Sequence, residues 1–578
     1  MKNILIAIRS IFKKGRHNVM KIVSLGIGLA VGLVLIAKVY FEQSYDDFYP
    51  DRDRVYQVWA KYQQNGGELK DYPQTSGGIA PTMQQQIPEI ETVTRYTSFG
   101  DWTFTMTDTK MKYSGRCIIA DSCFFDILPR PMLIGNAKEV LSTPMYVLIS
   151  SRIAKNIGGD VIGKNFTVDN SPGRTMTIGG VFEEVPENSH SRYDVIVSMA
   201  SAGRFMWEGS PTNMLGNDRY ISYVKLHKGV NPLALEEQVR TFVNSYFPPE
   251  EQQKVGLSID FSFHKLDNLH KELPQVKRMT WILSLLAFAL IFTAVMNYIL
   301  IVISSIVNRS KEVAVHKCYG ASENNIHGMM FGEALVHIVL SLILALLLIL
   351  AFRGTVEELL ATSLDSLLLS NGSLVLLGIC ILVFFVSGFM PGSLYARIPV
   401  ASAFRNYREN KRIWKKALLL VQFVATGFLV TMLVFVARQY TFMVNDRPGY
   451  AYENLAYCGL AGVDSTSRAK ILDEVMRLPG VAAATTVYQL PFEHASGNNI
   501  LLPGGTQELF NIADLYWVGN GYLDMMEIPV IQGRSFTENV TNSREVMVDR
   551  RFVEKMKLVA GWTDDVVGKD ICVTEHSK

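Results

Sequence analysis

The sequence predicts an α-helical membrane protein with two α+β domains outside the membrane. Three observations predict it: five apolar segments long enough to cross a bilayer, basic flanks that alternate from one segment to the next, and two long stretches with the composition of soluble protein. The 578 residues are 48% hydrophobic and 19% charged. A net charge of +2 argues against a nucleic-acid-binding protein, which would present a basic face.

Each predicted membrane helix contains about 20 mostly apolar residues, the length that crosses the hydrocarbon core. No small-residue cleavage site follows the first segment, so we interpret it as a retained helix and not as a signal peptide. It contains one charge, Lys38, close enough to its end for the side chain to extend to the interface. The segments are residues 22–41, 279–303, 334–352, 374–395 and 417–437.

Positive charge in the short flanks predicts the orientation of these helices. Lys and Arg are concentrated in residues 1–21, 304–328 and 397–416, and cytoplasmic loops carry such an excess. The N-terminus is therefore predicted to be cytoplasmic. Residues 42–278 and 438–578 are then predicted to lie outside, as is the short loop within the helical region 329–396.

Residues 42–278 show the patterns of a soluble α+β domain. Residues 146–150 and 175–178 alternate as strands do. Residues 151–157 and 232–246 have the spacing of amphipathic helices. Cys117 and Cys123 fall in the same domain, and both a disulfide between them and two unpaired thiols remain open.

Residues 438–578 repeat part of this outside domain. Four stretches of the first domain match stretches of the second: residues 121–128 match residues 520–527, residues 133–135 match residues 530–533, residues 146–155 match residues 546–555, and residues 161–168 match residues 566–573. A basic stretch and one membrane helix precede each copy, which indicates a duplicated unit. By the logic of the repeat, about three more helices should follow Lys578. We therefore expect the chain to be truncated; a natural five-helix protein is the alternative.

Several short motifs follow one another in a characteristic order and spacing. They are Phe124-Phe125 ahead of Gly135, Val161-Ile162-Gly163-Lys164, Gly179-Gly180-Val181-Phe182, Val185-Pro186-Glu187-Asn188-Ser189, residues 308–322, Pro391 with Arg397-Ile398-Pro399-Val400, and residues 415–423. Together they resemble the MacB/FtsX/LolE-type family of ABC-transporter permeases in its duplicated form. Within that family pattern, His316 stands where Arg is more usual, and Cys318-Tyr319 stand where Val-Leu or Ala-Leu is common.

The resemblance implies a fold and a function. The outside domains would be periplasmic core domains, and residues 329–396 would belong to an FtsX-like domain. The chain would be the permease subunit of an ABC transporter, which couples ATP hydrolysis by a separate cytoplasmic ATPase to a conformational change outside. The implied activity is export or extraction of a peptide, a lipoprotein or an amphipathic drug from the inner membrane of a bacterium. The implied partners are the ATPase, membrane lipid and a periplasmic or outer-membrane protein.

Two other functions remain open. One is an FtsX-like transmembrane regulator of a cell-wall hydrolase, and the other is a membrane receptor or enzyme unrelated to ABC systems. The sequence predicts no enzyme activity or cofactor for this chain, because ATP would be bound by the partner subunit. Residues 158–164 nearly match a phosphate-binding loop, but Asn165 replaces the required hydroxyl and a strand is predicted to follow.

Three groups of residues are candidates for function. The loop after the second helix is predicted to form a short helix that Gly320 ends as a C-cap. The resemblance implies that this helix contacts the ATPase, whereas a basic interfacial turn is the simpler interpretation. Small residues and an amide on the first two helices predict close helix packing. Two ionisable residues lie four apart on the third helix, and a structural role for them is the alternative. The groups are Lys311, Glu312, Val315, His316, Lys317, Gly320 and Ala321 for coupling; Gly28, Gly32 and Asn297 for packing; and Glu333 and His337 within the membrane.

No catalytic or metal-binding set emerges from the sequence. His190 stands between Ser189 and Ser191, but the spacing of the sequence fixes no partner for it. The resemblance places this segment in a structural turn. No cluster of His and Cys has the spacing of metal ligands.

Overall fold

The computed structural model describes residues 17–64, 69–168, 171–216, 218–368, 372–396, 400, 413–446, 449–460, 463–491, 496–505, 508–536, 545–563 and 565–573. Most of the two predicted cytoplasmic stretches, residues 1–21 and 397–416, lies outside these residues. The chain divides into two compact units, Met1–Val430 and Thr431–Lys578.

The elements are numbered in chain order. The helices are α1 (Asn18–Gln43), α2 (Ile79–Gln86), α3 (Phe124–Ile127), α4 (Ala137–Ser142), α5 (Ser151–Ile157), α6 (Glu236–Tyr246), α7 (Pro249–Val255), α8 (Pro274–Ser304), α9 (Ile306–Cys318), α10 (Glu323–Ala351), α11 (Arg353–Leu360), α12 (Leu364–Leu368), α13 (Ser373–Ala396), α14 (Ile413–Asn445), α15 (Ser465–Met476), α16 (Tyr522–Met525) and α17 (Arg550–Ala560). The strands are β1 (Val55–Gln64), β2 (Lys70–Tyr72), β3 (Ile90–Met106), β4 (Lys112–Ala120), β5 (Met132–Ile134), β6 (Tyr146–Ser150), β7 (Asn165–Val168), β8 (Ser171–Phe182), β9 (Val195–Ser198), β10 (Ile221–Leu226), β11 (Leu257–Lys265), β12 (Ser496–Leu501), β13 (Glu508–Leu515) and β14 (Cys572–Val573).

Among the described residues, five helices are long and apolar enough to cross a membrane: α1, α8, α10, α13 and α14. Each overlaps its predicted segment over almost the whole length, so the five predicted helices are confirmed. The helices are longer than the apolar segments because polar turns continue them. The clearest case is α10, which begins eleven residues before the predicted segment. Ser322 caps it by accepting a hydrogen bond from the Asn325 amide at 3.4 Å.

The membrane helices of the first unit pack around α1. Helices α8 and α10 both lie against α1, and α13 lies against α10. One face of α1 is buried through Leu25 and Leu29, which meet Ile299 of α8 and Ile338 of α10 in one apolar core. Helix α1 is therefore held on two sides, a position from which it can transmit movement to the domain that follows it.

A mixed sheet of eleven strands forms the domain between α1 and α8. The main order is β11-β1-β10-β3-β4-β9-β6-β8-β5, with β2 paired to β1 and β7 paired to β3 and β8. The pairs β4–β9 and β6–β8 are parallel, and the other pairs are antiparallel. Helices α2 and α6 cover β1 and β10 with an apolar core. The predicted α+β class is thereby confirmed for residues 42–278.

Several local predictions in this domain are confirmed residue by residue. Strand β6 and helix α5 have the predicted bounds, and Ser150 accepts a hydrogen bond from the Ile153 amide as the cap of α5. The predicted helix 232–246 begins with a 3₁₀ turn, Pro232–Leu235, before α6. The two thiols that could have paired, Cys117 and Cys123, are both free.

The second unit contains a three-stranded sheet in the order β13-β12-β14. Its local structure agrees with the first outside domain at several positions of the predicted repeat. Gly135 and its counterpart Gly533 both have φ +86°, and Gly163 and Gly568 have φ +76° and +82°. This left-handed region favours glycine. In the predicted repeat, helix α16 corresponds in position to α3, and helix α17 corresponds to α5.

Candidate functional site

The predicted coupling segment forms a helix, α9, between membrane helices α8 and α10. It ends at Cys318, and Gly320 stands two residues beyond this last helical residue. The Gly320 amide donates to the Lys317 carbonyl at 3.0 Å, and the Ala321 amide donates to the His316 carbonyl at 3.0 Å. Gly320 has φ +84°. These hydrogen bonds close the end of the helix around a left-handed residue, a position that glycine usually occupies.

One face of α9 is anchored and the other is open. Val313 and Ala314 are buried against the membrane helices. Val315 is exposed, and Tyr319 is 89% exposed. Because Val315 and Tyr319 lie one turn apart, they form an apolar pair on the open face.

Basic and acidic side chains surround this pair. Lys311 and His316 are exposed, Glu312 and Lys317 are half-buried, and Ala321 after the cap is half-buried as well. The segment therefore presents an apolar spot with a mainly basic rim, on a helix whose opposite face is fixed in the membrane core. Such a surface suits a groove on a partner protein.

The predicted packing glycines lie where α1 approaches α8 most closely. A Cβ atom on Gly28 would stand 2.2 Å from the Cβ of Ala294, and one on Gly32 would stand 2.4 Å from Cγ1 of Ile291. A larger residue at Gly28 would have to move α8, because the alanine methyl group cannot turn away, and a larger residue at Gly32 would have to displace the Ile291 side chain. Asn297, the third predicted packing residue, is half-buried on α8, and its side chain forms no hydrogen bond with the residues that the structure describes.

The two predicted intramembrane residues lie in a polar cluster between α1, α8 and α10. Lys21 of α1 is fully buried, and its Nζ lies 3.8 Å from Oε1 of Glu333. Lys21 also donates to the Asn18 side chain at 3.2 Å. One turn further along α10, Nδ1 of His337 lies 3.2 Å from the Tyr298 hydroxyl of α8. The cluster thus connects all three helices at the N-terminal end of α1.

A second polar cluster stands at the other end of α1, and the sequence predictions did not include it. Glu42 lies 2.7 Å from Nζ of Lys38 and 2.6 Å from Nε2 of His270, which precedes α8. Lys38 also donates to the Thr362 hydroxyl at 2.8 Å, in the link between α11 and α12. The ring of Tyr45 stacks on His270 with 3.4 Å between centroids. Burial, followed by the nearby Glu42 carboxylate, raises the pKa of the Tyr45 hydroxyl.

His190 also has partners that the sequence spacing did not fix. Its Nδ1 lies 2.7 Å from a carboxylate oxygen of Asp46, which is fully buried, and its Nε2 is hydrogen-bonded to the Tyr223 hydroxyl. The arrangement resembles a catalytic pair only in its residue types. Ser189 donates to Asp46 at 3.0 Å, so the serine hydroxyl is directed at the acid and not at the histidine. The cluster fixes a turn, as the resemblance implies.

A sequence signal for these clusters exists. Acidic residues, Glu42 and Asp46, end or follow the first membrane segment, and His270 precedes the second. The two chain segments that join an inserted domain to adjacent membrane helices lie side by side. A carboxylate on one and a histidine on the other are therefore candidates for a pair.

The structure offers no other evident chemistry in its described part. Strand β7 begins at Asn165, so no helix follows the near-match to a phosphate-binding loop. No group of three or more His, Cys, Asp or Glu residues in the described ranges could hold a metal ion.

Two family models match the chain. The MacB-like periplasmic core domain matches residues 20–242, and the FtsX-like permease C-terminal domain matches residues 284–400. The first match extends from α1 into α6, and the second includes α9 and α10. Together they span more than half of the chain, in the order that the sequence motifs predict.

Three solved structures are similar to part of the chain. A domain of a putative permease protein from Porphyromonas gingivalis is 33% identical, covers 38% of this chain and 91% of its own, and has a TM-score of 0.35. The periplasmic region of MacB from Actinobacillus actinomycetemcomitans is 15% identical over 38% of this chain and 91% of its own, with a TM-score of 0.25. The extracellular domain of the noncanonic ABC-type transporter YknZ from Gram-positive bacteria is 11% identical over 36% of this chain and 98% of its own, with a TM-score of 0.26. No curated protein sequence matches the chain.

Proposed function

The chain belongs to the MacB/FtsX-type family of ABC-transporter permeases, and on this basis we propose that it couples ATP hydrolysis by a separate cytoplasmic ATPase to movement of its extracytoplasmic domain. Its site of action would be the bacterial inner membrane, with the N-terminus in the cytoplasm. ATP would be bound by the partner subunit and not by this chain.

The observation that carries the proposal is the geometry of α9. This helix lies in a predicted cytoplasmic loop, is fixed by Val313 and Ala314, and presents Val315 and Tyr319 to a partner. Helix α9 follows α8 after a single residue, Ser305, so a displacement of α9 would be transmitted directly to α8. The close contact at Gly28 and Gly32 then passes the movement to α1.

Helices α1 and α8 flank the first of the two predicted extracytoplasmic domains, the one that contains the mixed sheet. Movement of both would change the position or shape of that domain without a passage for substrate through the helices. This favours a substrate that is handled outside or in the outer leaflet, such as a peptide, a lipoprotein or an amphipathic drug. Regulation of a cell-wall hydrolase would use the same movement and is the second candidate function.

The test is recovery of the ATPase with the tagged full chain from native membranes. Two variants alter the proposed contact: Tyr319→Ala removes the exposed ring, and Gly320→Val strains the cap. Gly229→Val is a matched control, because Gly229 has the same φ of +84° and likewise no neighbour within 4 Å, but lies in the extracytoplasmic domain. We expect a P-loop ATPase with the native chain and with Gly229→Val, and at least roughly a fivefold lower yield with the other two, because a single interface anchor can contribute 1 kcal/mol or more.

The outcomes separate the alternatives. Equal ATPase recovery from all four chains would refute the role of α9 while leaving an ABC permease. No ATPase with any chain would contradict the proposed function itself. A cell-wall hydrolase recovered together with the ATPase would favour the regulatory function over transport.

A further inference from the structure

The loop of residues 186–193, here named the clasp loop, holds the chain directly after α1. The Asp46 amide donates to the Asn188 carbonyl at 2.9 Å, and the Asn188 side chain donates to the Ser44 carbonyl at 2.7 Å. Asp46 has φ +60°, a conformation that is uncommon for residues other than glycine. Its buried carboxylate accepts from Ser189 and is paired with His190, so the clasp loop holds this turn in place.

The same loop is bound to the centre of the sheet. The Tyr223 hydroxyl of β10 is hydrogen-bonded to His190, and the Tyr96 hydroxyl of β3 lies 2.6 Å from the Ser191 hydroxyl. Both tyrosines are buried in one apolar core. A shift of the turn after α1 is therefore transmitted to β3 and β10 through the clasp loop.

The clasp loop makes a third contact, to the connection between membrane helices α10 and α13. A carboxylate oxygen of Glu187 accepts from the Ser363 amide at 3.0 Å. The preceding residue, Thr362, accepts from Lys38 of α1 at 2.8 Å. Two adjacent residues of the α11–α12 link therefore contact the two parts that the proposed movement would displace. Thr362 is hydrogen-bonded to α1, and Ser363 is hydrogen-bonded to the extracytoplasmic domain.

The three contacts of the clasp loop differ in strength. The contact to Asp46 consists of several hydrogen bonds to a fully buried carboxylate, and the contact to the buried tyrosines consists of two. The contact to Ser363 is one hydrogen bond between half-buried residues. When the domain moves relative to α10 and α13, this bond is therefore the first to break, while the clasp loop stays with α1 and the sheet.

We propose that Glu187 and Ser363 form a latch that holds the extracytoplasmic domain in its resting position on the α11–α12 link, and that the ATP-driven movement opens it. The proposal rests on the proposed function and adds a specific resting-state contact to it. Glu187 acts as a positioning residue, since it sets the place of the domain and touches no substrate.

Hydrogen–deuterium exchange of the full chain in lipid nanodiscs tests the latch without any partner. The Ser363 amide is itself the donor, so Glu187→Ala should speed the exchange of this amide, measured within residues 361–368, about tenfold, because one charge-assisted hydrogen bond is lost. Exchange in residues 44–49 should stay within about twofold of the native chain, because their own bonds are kept. Glu184→Ala is the matched control, because Glu184 stands three residues earlier with an exposed side chain that faces Arg152 at 3.6 Å. It should change neither segment.

A second variant covers the case in which Glu187→Ala disturbs the whole domain. Glu187→Gln keeps the size and one acceptor, so it should speed exchange in residues 361–368 by a smaller factor, about threefold, with the rest of the domain unchanged. The latch proposal would be overturned if, in both variants, exchange in residues 361–368 stayed within about twofold of the native rate.

The ATP-driven opening is tested with the purified complex of chain and ATPase. Addition of ATP should raise exchange in residues 361–368 of the native chain toward the level of Glu187→Ala, and should not change that of the variant. If ATP is hydrolysed but exchange in residues 361–368 of the native chain does not change, the bond between Glu187 and Ser363 stays closed and the proposal is overturned. Failure to obtain an ATPase would instead count against the proposed function, since the partner-free result stands by itself.

Discussion

Glu42, in the last turn of α1, is paired at once with Lys38, 2.7 Å away on the same helix, and with His270, 2.6 Å away on the chain that leads into α8. The first membrane helix and the entry to the second are therefore joined by one carboxylate. Its side chain is almost fully buried, as is that of Lys38. In such a place, the loss of one member leaves a buried charge without its partner.

We expect Glu42→Ala to lower the free energy of unfolding by about 3 kcal/mol. Glu42→Gln should cost less, because the amide oxygen still accepts from Lys38 or His270. The measurement is thermal unfolding of the full chain in detergent. A loss below about 0.5 kcal/mol for Glu42→Ala, as for an exposed ion pair, would contradict the structural importance of the junction.

A bulky residue at Gly28 should separate α1 from α8. Gly28→Leu places atoms where the Ala294 methyl group lies, and overpacking of this kind costs about 1–3 kcal/mol. The matched control is Gly378→Leu in α13, where a Cβ would meet nothing within 4 Å. Thermal unfolding should show a loss for the first variant and none for the second. Equal behaviour of the two would mean that α1 and α8 are free to move apart at this point.

Asp51 supplies a pH-dependent contribution to stability. Hydrogen bonds from Arg54, followed by those from Lys225, lower the pKa of the Asp51 carboxyl from 3.8 to about 2. A folded-state pKa below the unfolded value stabilises the fold above the unfolded pKa of 3.8, and this contribution is lost as the pH falls toward 2. Because the side chain is 35% exposed, solvent screening keeps the contribution below about 1 kcal/mol.

The variant Asp51→Asn should therefore be less stable than the native chain at about pH 6, and the difference should shrink at about pH 2.5. Unfolding of the full chain at both values measures it. Asp53→Asn is the control, since Asp53 stands two residues further on and forms no ion pair with the described residues. If the difference in unfolding free energy between Asp51→Asn and the native chain is the same at both pH values, the lowered pKa of Asp51 is not its cause.

The membrane helices could be predicted from the sequence because a run of about 20 apolar residues is rare outside a membrane span. Their polar extensions could not, since hydropathy does not distinguish a polar helical turn from a loop. Ser322 is the cap that starts α10, yet serine is equally common in loops. By contrast, Gly320 could be assigned because a left-handed cap favours one residue type.

The specific contacts of Asp46, Glu42 and Glu187 could not be predicted from the sequence, which marks only Glu42, Asp46 and His270 as candidates for an acid–histidine pair. Each joins residues more than 140 positions apart, and their pairing depends on where the sheet places the clasp loop relative to α1. The local pattern around His190 is that of any polar turn. Only the fold brings the turn to the end of the membrane helix, where a histidine can meet a buried acid.

The pair Lys21–Glu333 provides the last prediction, at the opposite end of α1. Both side chains are buried, with 3.8 Å between Nζ and Oε1. Replacing one charge removes the ion-pair partner of the other at a buried position, so Lys21→Met and Glu333→Leu should each cost about 3 kcal/mol of unfolding free energy. The double variant removes both charges and replaces them with apolar groups, so it should cost far less than the sum.

A double-mutant cycle on thermal unfolding of the full chain measures this coupling. The exposed pair Arg477–Glu474, 3.1 Å apart in the second unit, is the comparison and should show a coupling below about 0.5 kcal/mol. A coupling of the same small size for Lys21–Glu333 would mean that water reaches the cluster. In that case the polar contact would add little to the apolar packing that holds α1 against α10.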